Sequence, residues 1–336
     1  MGGAANDTID GGGGFDFANY FFSTGAATVN LSTGTANDGQ GGTDTLISIE
    51  GVTGSAFADT ITGNDGDNTL LGVAGNDRLD GGGGIDTAAY IFSPAGATVN
   101  LATGTASDGY GGTDTLISIE KVNGSNFADT ITGTDGVNLF FAIGGNDTLT
   151  GGAGIDTAQY QGARSGYAVT GTNASRSVTD NTASRDGVDT LTGVERLKFS
   201  DGVLAFDNLA TDNAGRGYLI YRAAFDRTPD ATGLGYWINE LDRGQDFGSV
   251  VAASFIASPE FATKYGTSLS NAQFVDQLYQ NVLHRAGDAA GIAYWNAELN
   301  AGGARSNMLA SFAISNENVT GVAPLIADGI FFTPFV

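Results

Sequence analysis

The chain has 336 residues, with 37 acids against 14 lysines and arginines, a formal charge of −23, 53 glycines and no cysteine. The missing cysteine excludes a disulfide scaffold and thiol chemistry. So negative a charge argues against nucleic acid or an anionic membrane as partner. No run of about 20 apolar residues is present to span a membrane, and Met1-Gly-Gly-Ala is not a basic-then-apolar leader. The length predicts about two domains.

The acids crowd toward the start, where residues 1–160 hold 19 acids and only Arg78 and Lys121 as bases. From Gly54 to Tyr90 four nine-residue units follow one another: GSAFADTIT, GNDGDNTLL, GVAGNDRLD and GGGGIDTAA. Each carries Asp or Asn at its sixth place (Asp59, Asn68, Asp77, Asp86) and an apolar or small residue at its eighth (Ile61, Leu70, Leu79, Ala88). The array returns from Gly124 to Tyr160, and a truncated copy opens the chain at Gly2 and Gly11. A fixed period of this kind signals a solenoid. The first six residues of a unit suit tight turns and the last three a short strand with one side chain inward. Two units make one coil, which brings Asp59 near Asp77 on one edge and Asn68 near Asp86 on the other. Carboxylates stacked about 4.8 Å apart repel without a cation between them. Carboxylates plus glycine-turn carbonyls suit a hard cation, calcium first.

GGGGFDFAN (Gly11 to Asn19), GGGGIDTAA (Gly81 to Ala89) and GGAGIDTAQ (Gly151 to Gln159) resemble the GGxGxDxUx repeat of the RTX, or haemolysin-type calcium-binding, family. The resemblance implies a parallel β-roll with several calcium ions in its turns. It also implies an extracellular location and export through a type I secretion apparatus. It assigns metal binding to the sixth-place residues Asp7, Asp16, Asp59, Asn68, Asp77, Asp86, Asp129, Asn138, Asp147 and Asp156. With them go the turn glycines Gly11, Gly63, Gly75, Gly81, Gly84, Gly145, Gly151 and Gly154. Asn68 and Asn138 depart from Asp, and Phe57, Phe127, Ala5 and Ala142 replace glycines, which weakens the sites at those units.

A longer repeat lies above the short one, since Asp16, Asp86 and Asp156 stand 70 residues apart, as do Tyr20, Tyr90 and Tyr160. Between the arrays, Ala27–Val52 and Ala97–Val122 are nearly identical. Their alternation reads as strands that continue the solenoid, with a loop bulging at Asp38-Gly39 and Asp108-Gly109. Asp44 and Asp114 are further ligands or plain turn residues. The third copy diverges after Tyr160 and returns as Val188–Gly202. This segment is expected to cap the stack, with Leu191, Val194, Leu197 and Phe199 partly buried.

From about residue 208 the pattern is helical, over Arg216–Arg227, Asp230–Arg243, Asp246–Ala257, Asn271–Arg285, Asp288–Leu299 and Arg305–Ile314. Asp230, Asp246, Ser258, Ser270 and Asp288 are expected N-caps. Tyr221–Gly244 repeats as Tyr279–Gly302 at a step of 58, pairing Arg227 with Arg285 and Trp237 with Trp295. The pattern resembles a helical domain of unknown function found beside calcium repeats in secreted bacterial proteins, distantly similar to phycobilisome linkers. Trp237 and Trp295 are expected as core anchors, and Arg227 and Arg285 as partners of acids or helix carbonyls. The apolar tail Ala323–Val336 is either an uncleaved secretion signal or a segment packed on the helices.

The expected architecture is therefore multidomain β plus α. A parallel β-roll or β-helix solenoid (1–206) precedes an all-α domain (207–322) and the tail (323–336). Catalysis finds little support. His284 is the only histidine, no GxSxG surrounds a serine and no GxxxxGK[ST] is present, so no catalytic or cofactor-binding residue is assigned. Two functions remain open. One is a calcium-binding secreted structural or cell-surface protein of the adhesin or surface-layer type, meeting itself or a surface glycan. The other is the C-terminal secretion and folding module of an exported enzyme.

Overall fold

The computed structural model describes residues 3–172 and 174–335, so Gly2 of the opening repeat and Val336 of the tail lie outside the described residues. The chain divides into two compact units at Ser200/Asp201.

In the first unit, successive nine-residue units send their strands alternately to two sheets. Thr60–Thr62 pairs parallel with Arg78–Asp80, Ile61 opposite Leu79. Thr69–Leu71 pairs parallel with Thr87–Ala89, Leu70 opposite Ala88. The eighth-place side chains fill the space between the sheets, and Ile61, Leu70, Leu79 and Ala88 are all 0% exposed. Each buried Ile or Leu contributes roughly 1.5–3 kcal/mol, so every strand is held by one inward side chain and its ladder.

The inserted segments extend the first sheet differently from the expected continuation. Thr28–Asn30, Thr35–Asn37 and Thr43–Ile47 form an antiparallel meander. Its third strand pairs parallel with Thr8–Asp10 behind, and its first with Thr60–Thr62 ahead. Thr98–Asn100, Thr105–Ser107 and Thr113–Ile117 repeat this between Arg78–Asp80 and Thr130–Thr132. The middle strand is therefore reversed. Gly34 and Gly104 make the reversal possible at φ +64° and +65°, a conformation that costs glycine little.

In the third copy Tyr167–Thr172, Ser175–Asp180 and Val188–Thr192 form the same antiparallel meander, with Tyr167–Thr172 at the sheet edge. Among the described residues no further strand pairs with the outer side of Tyr167–Thr172. Leu191, Val194, Leu197 and Phe199 are 0–4% exposed, buried more deeply than expected.

The second unit holds α1 (Asn213–Phe225), α2 (Ala231–Asp242), a π-helical turn at Phe247–Ala252, α3 (Ala253–Ala257) and α4 (Pro259–Tyr265). It continues with α5 (Asn271–Leu283), α6 (Ala289–Asn300), α7 (Arg305–Ala313) and α8 (Asn316–Val322). All five expected caps accept a main-chain N–H: Asp230 from Gly233, Asp246 from Gly248 and Ser249, Ser258 from Phe261, Ser270 from Gln273, Asp288 from Gly291. Trp237 packs against Phe255 at 5.1 Å and Trp295 against Phe312 at 5.7 Å. Arg227 grips Glu260 with bonds of 2.6 and 3.0 Å, and Arg285 repeats this on Glu317 at 2.7 and 2.8 Å. The tail is packed: Ile330–Phe332 pairs antiparallel with Gly202–Ala205, burying Ile330 and Phe332. Among the described residues no helix is long and apolar enough to cross a membrane.

Candidate metal centre

The stacked turns bring the sixth-place residues together in two ladders. On one edge the N–H of Asp59 donates to Oδ1 of Asp77 (2.8 Å), and that of Asp77 to Oδ1 of Asp114 (3.0 Å). On the other, Asn68 donates to Asp86 Oδ1 (2.8 Å) and Asp86 to Glu120 Oε2 (3.0 Å). Seventy residues on, Asp129 donates to Asp147, Asp147 to Asp189, Asn138 to Asp156 and Asp156 to Glu195. The first copy adds Asp7 to Asp44 and Asp16 to Glu50. One oxygen of each carboxylate thus ties down the backbone of the coil behind.

The other oxygen separates the ten candidates into two groups. In Asp7, Asp16, Asp77, Asp86, Asp147 and Asp156 the Oδ2 atom is buried and has no hydrogen-bond partner. A buried carboxylate oxygen left so is costly unless a cation meets it. In Asp59 and Asp129 both oxygens are taken. Asp59 accepts from the Ala27 and Ser55 amides and the Ser55 hydroxyl, and Asp129 from the matching Ala97 and Ser125 groups. Asn68 and Asn138 accept from Asn64 and Thr134 and donate to the Glu50 and Glu120 carbonyls.

Turn type follows the division in five of the six. The fourth-place glycine lies at positive φ in Gly14 (+124°), Gly75 (+135°), Gly84 (+103°), Gly145 (+125°) and Gly154 (+105°), while Asp7 keeps its free oxygen with Ala5 at the fourth place. Gly84 also packs so closely on the turn below that a Cβ would stand 2.7 Å from the Gly66 carbonyl carbon. The first-place Gly11, Gly63, Gly81 and Gly151 sit where a Cβ would lie 1.9–2.2 Å from a carbonyl oxygen of the next coil. Phe57 and Phe127 lie outside the positive-φ set. In their turns Ser55 and Ser125 close the loop onto the Asp instead.

Burial pushes Asp77 up to about 8, with the charges of Asp114, Asp59 and Asp108 adding to it, and Asp147 likewise to about 8 beside Asp189 and Asp129. Asp86 rises to about 6 and Asp156 to about 7, through burial and then the facing Glu120 or Glu195. Among the described residues no three His, Cys, Asp or Glu side chains already converge on one point. The carboxylates pair in twos, and the rest of a coordination shell would come from turn carbonyls. An all-oxygen donor set of this kind fits calcium, which takes six to eight oxygens.

Sequence reasoning named the sixth-place residues but missed Glu50, Glu120 and Glu195. Their signal was present in the thrice-repeated block that runs from TDTL or VDTL to the Glu.

Comparison with protein families agrees. Residues 1–18, 53–88 and 123–158 match the RTX calcium-binding nonapeptide repeat (4 copies), and residues 252–322 match a domain of unknown function, DUF4214. No curated protein matches the chain.

Proposed function

We propose that this chain, which carries RTX calcium-binding nonapeptide repeats ahead of a DUF4214 domain, is an extracellular structural or cell-surface protein. Its roll folds when calcium binds outside the cell. The observation that carries this reading is the set of four buried aspartates, Asp77, Asp86, Asp147 and Asp156, each stapling a neighbouring coil with one oxygen and holding the other unpaired.

Extracellular calcium modules bind with dissociation constants of about 10⁻⁴ to 10⁻³ M. A site at tenfold its dissociation constant adds about 1.4 kcal/mol, and several together match the roughly 5 kcal/mol at the low end of domain stability. At low cytosolic calcium that contribution is lost and the acidic ladders repel. The roll then stays open and threadable for a type I secretion apparatus.

An adhesin or surface-layer role draws support from the outer face. Phe22 and Phe92, 70 residues apart, are 71% and 58% exposed, so the first two copies each present an aromatic ring at the same place, where the third has Gly162. Such rings suit association with a further copy or with a surface glycan. No catalytic role is proposed.

The test is a calcium titration followed by far-UV circular dichroism, with magnesium as control. Strand signal is expected to appear cooperatively at millimolar calcium alone. A roll already fully folded in chelator overturns the folding reading. A chain that stays monomeric at every concentration in calcium overturns self-assembly.

A further inference from the structure

The loops Asp38–Asp44 and Asp108–Asp114 lie outside every segment matched by the calcium repeat, yet they carry the same unsatisfied chemistry. Asp108 is 0% exposed. Its Oδ1 accepts from the amides of Tyr110, Gly111 and Gly112 at 2.8–2.9 Å. Its Oδ2 has no partner, and neither has Asp77 Oδ2, while the hydroxyl of Tyr90, a side chain only 5% exposed, faces the Asp114 carboxylate.

Gly112 marks where the loop meets the turn below. A Cβ there would stand 1.7 Å from the Gly75 carbonyl oxygen and 2.6 Å from Asp108 Oδ2. A carbonyl and a free carboxylate oxygen thus converge on one cradle. The first copy repeats the cradle, since a Cβ at Gly42 would lie 2.3 Å from the Ala5 carbonyl oxygen and 2.6 Å from Asp38 Oδ2, which is again unpartnered, while the Tyr20 hydroxyl there donates to Asp44 Oδ2 at 3.3 Å.

The third copy solves the same problem with a side chain. The N–H of Asp180 bonds the Gly187 carbonyl as Asp38 bonds Gly42 and Asp108 bonds Gly112. Gly187 lies against the Gly145 carbonyl, as Gly112 lies against Gly75. The intervening loop is longer, and it delivers Arg185. That guanidinium reaches Asp180 Oδ1 at 2.6 Å and Oδ2 at 2.7 Å, and Asp186 Oδ2 at 3.9 Å. Where the loop supplies a cation, both oxygens of the aspartate are satisfied. Where it does not, one oxygen is left.

We propose that the meander loops form a second kind of calcium site, at Asp38 in the first copy and Asp108 in the second. Each is completed by the carbonyl of the turn below (Ala5, Gly75) and by the facing Asp44 or Asp114, and Arg185 substitutes for the ion in the third. The inference rests on the calcium-binding reading above. It adds ions to the meanders, where a β-roll built of nonapeptides alone would have none.

The experiment counts calcium bound to the full chain at saturation, by equilibrium dialysis with elemental analysis. The double variant Asp38→Asn/Asp108→Asn keeps the Oδ1 hydrogen bonds and removes the charge, and it is expected to bind two ions fewer. Arg185→Gln is expected to bind one more. Asp86→Asn/Asp156→Asn reports on the nonapeptide turns separately. A count unchanged in the first two variants but lowered in the third overturns the inference and leaves the calcium-folding reading standing. A wild-type chain that binds no calcium removes both. Should the double variant not fold, crystals of the unaltered chain grown with calcium decide. Anomalous density between Asp108 Oδ2 and the Gly75 carbonyl supports the site, and density at the nonapeptide turns alone overturns it.

Discussion

The main-chain N–H of Asp59 donates to Oδ1 of Asp77, 18 residues later, at 2.8 Å, while Oδ2 of Asp77 is buried without a partner. One carboxylate thus joins two coils through the backbone and presents its remaining charge to a cation. Coil stacking and ion binding share a single side chain, which is why metal binding and folding are expected to be one event.

Asp77→Asn separates the two roles. Asn keeps an acceptor for the Asp59 amide but carries no charge. In chelator the variant is expected to be at least as stable as the parent, because an uncompensated buried carboxylate has gone. In calcium at tenfold the dissociation constant it is expected to lose about 1.4 kcal/mol, the contribution of one site. Thermal melts of the roll with and without calcium check the reversal of sign, and equal destabilisation in both conditions sinks it.

The pH response of the metal-free chain follows from the raised carboxylates. Asp77 and Asp147 lie at about 8, Asp156 and Asp189 at about 7, and Asp86 and Asp114 at about 6. Unfolded Asp titrates near 3.9. Between about pH 4 and pH 8 the folded roll therefore binds more protons than the unfolded chain, so its stability falls as pH rises. Below about pH 4 both states are protonated and the stabilisation is fully present. Melting of the strand signal in chelator should come at a lower temperature at pH 8 than at pH 5. Calcium uptake at pH 7 should release protons, measurable by calorimetry in buffers of differing ionisation enthalpy. A strand-signal melting temperature in chelator that rises from pH 5 to pH 8 contradicts this account.

Neighbouring glycines of one turn should respond differently. Gly84 has φ +103° and a Cβ there would approach the Gly66 carbonyl carbon to 2.7 Å. Gly83 has no such φ, and its nearest neighbour would be Asp65 Cα at an ordinary 3.5 Å. Gly84→Ala is expected to cost at least the roughly 1–3 kcal/mol of a strained backbone conformation and to weaken calcium binding. Gly83→Ala should stay within about 0.5 kcal/mol of the parent. Melts of the two variants in saturating calcium compare them directly.

The period of nine made much of this legible before any coordinates. A strand with one inward side chain per unit fixes both the parallel register and the identity of the core, so Ile61 opposite Leu79 was readable from spacing. Helix caps were readable because Asp or Ser before an apolar run has few other uses. Strand direction in the meanders was not, since the period-2 alternation of Thr28–Asn30 or Thr35–Asn37 is the same either way. Nor was the capture of Asp59 by Ser55. A sixth-place aspartate looks identical in sequence whether its oxygens face amides or a cation, and the second-place serine decides which.

The helical unit should ignore chelation altogether. Five of its acids are held internally, Glu260 by Arg227, Glu317 by Arg285, and Asp230, Asp246 and Asp288 at helix N-termini. The aspartates with unpartnered buried oxygens, from Asp7 to Asp156, all lie in the first unit. Both tryptophans of the chain, Trp237 and Trp295, lie in the second, half-buried against Phe255 and Phe312. Indole emission therefore reports on the helices, and strand circular dichroism on the roll. On adding chelator the strand signal is expected to collapse while the emission maximum stays put. Emission that shifts red at the same chelator concentration would mean that the helices also depend on the ion. The calcium-free carboxylates of the roll would then not be the only place where the metal acts.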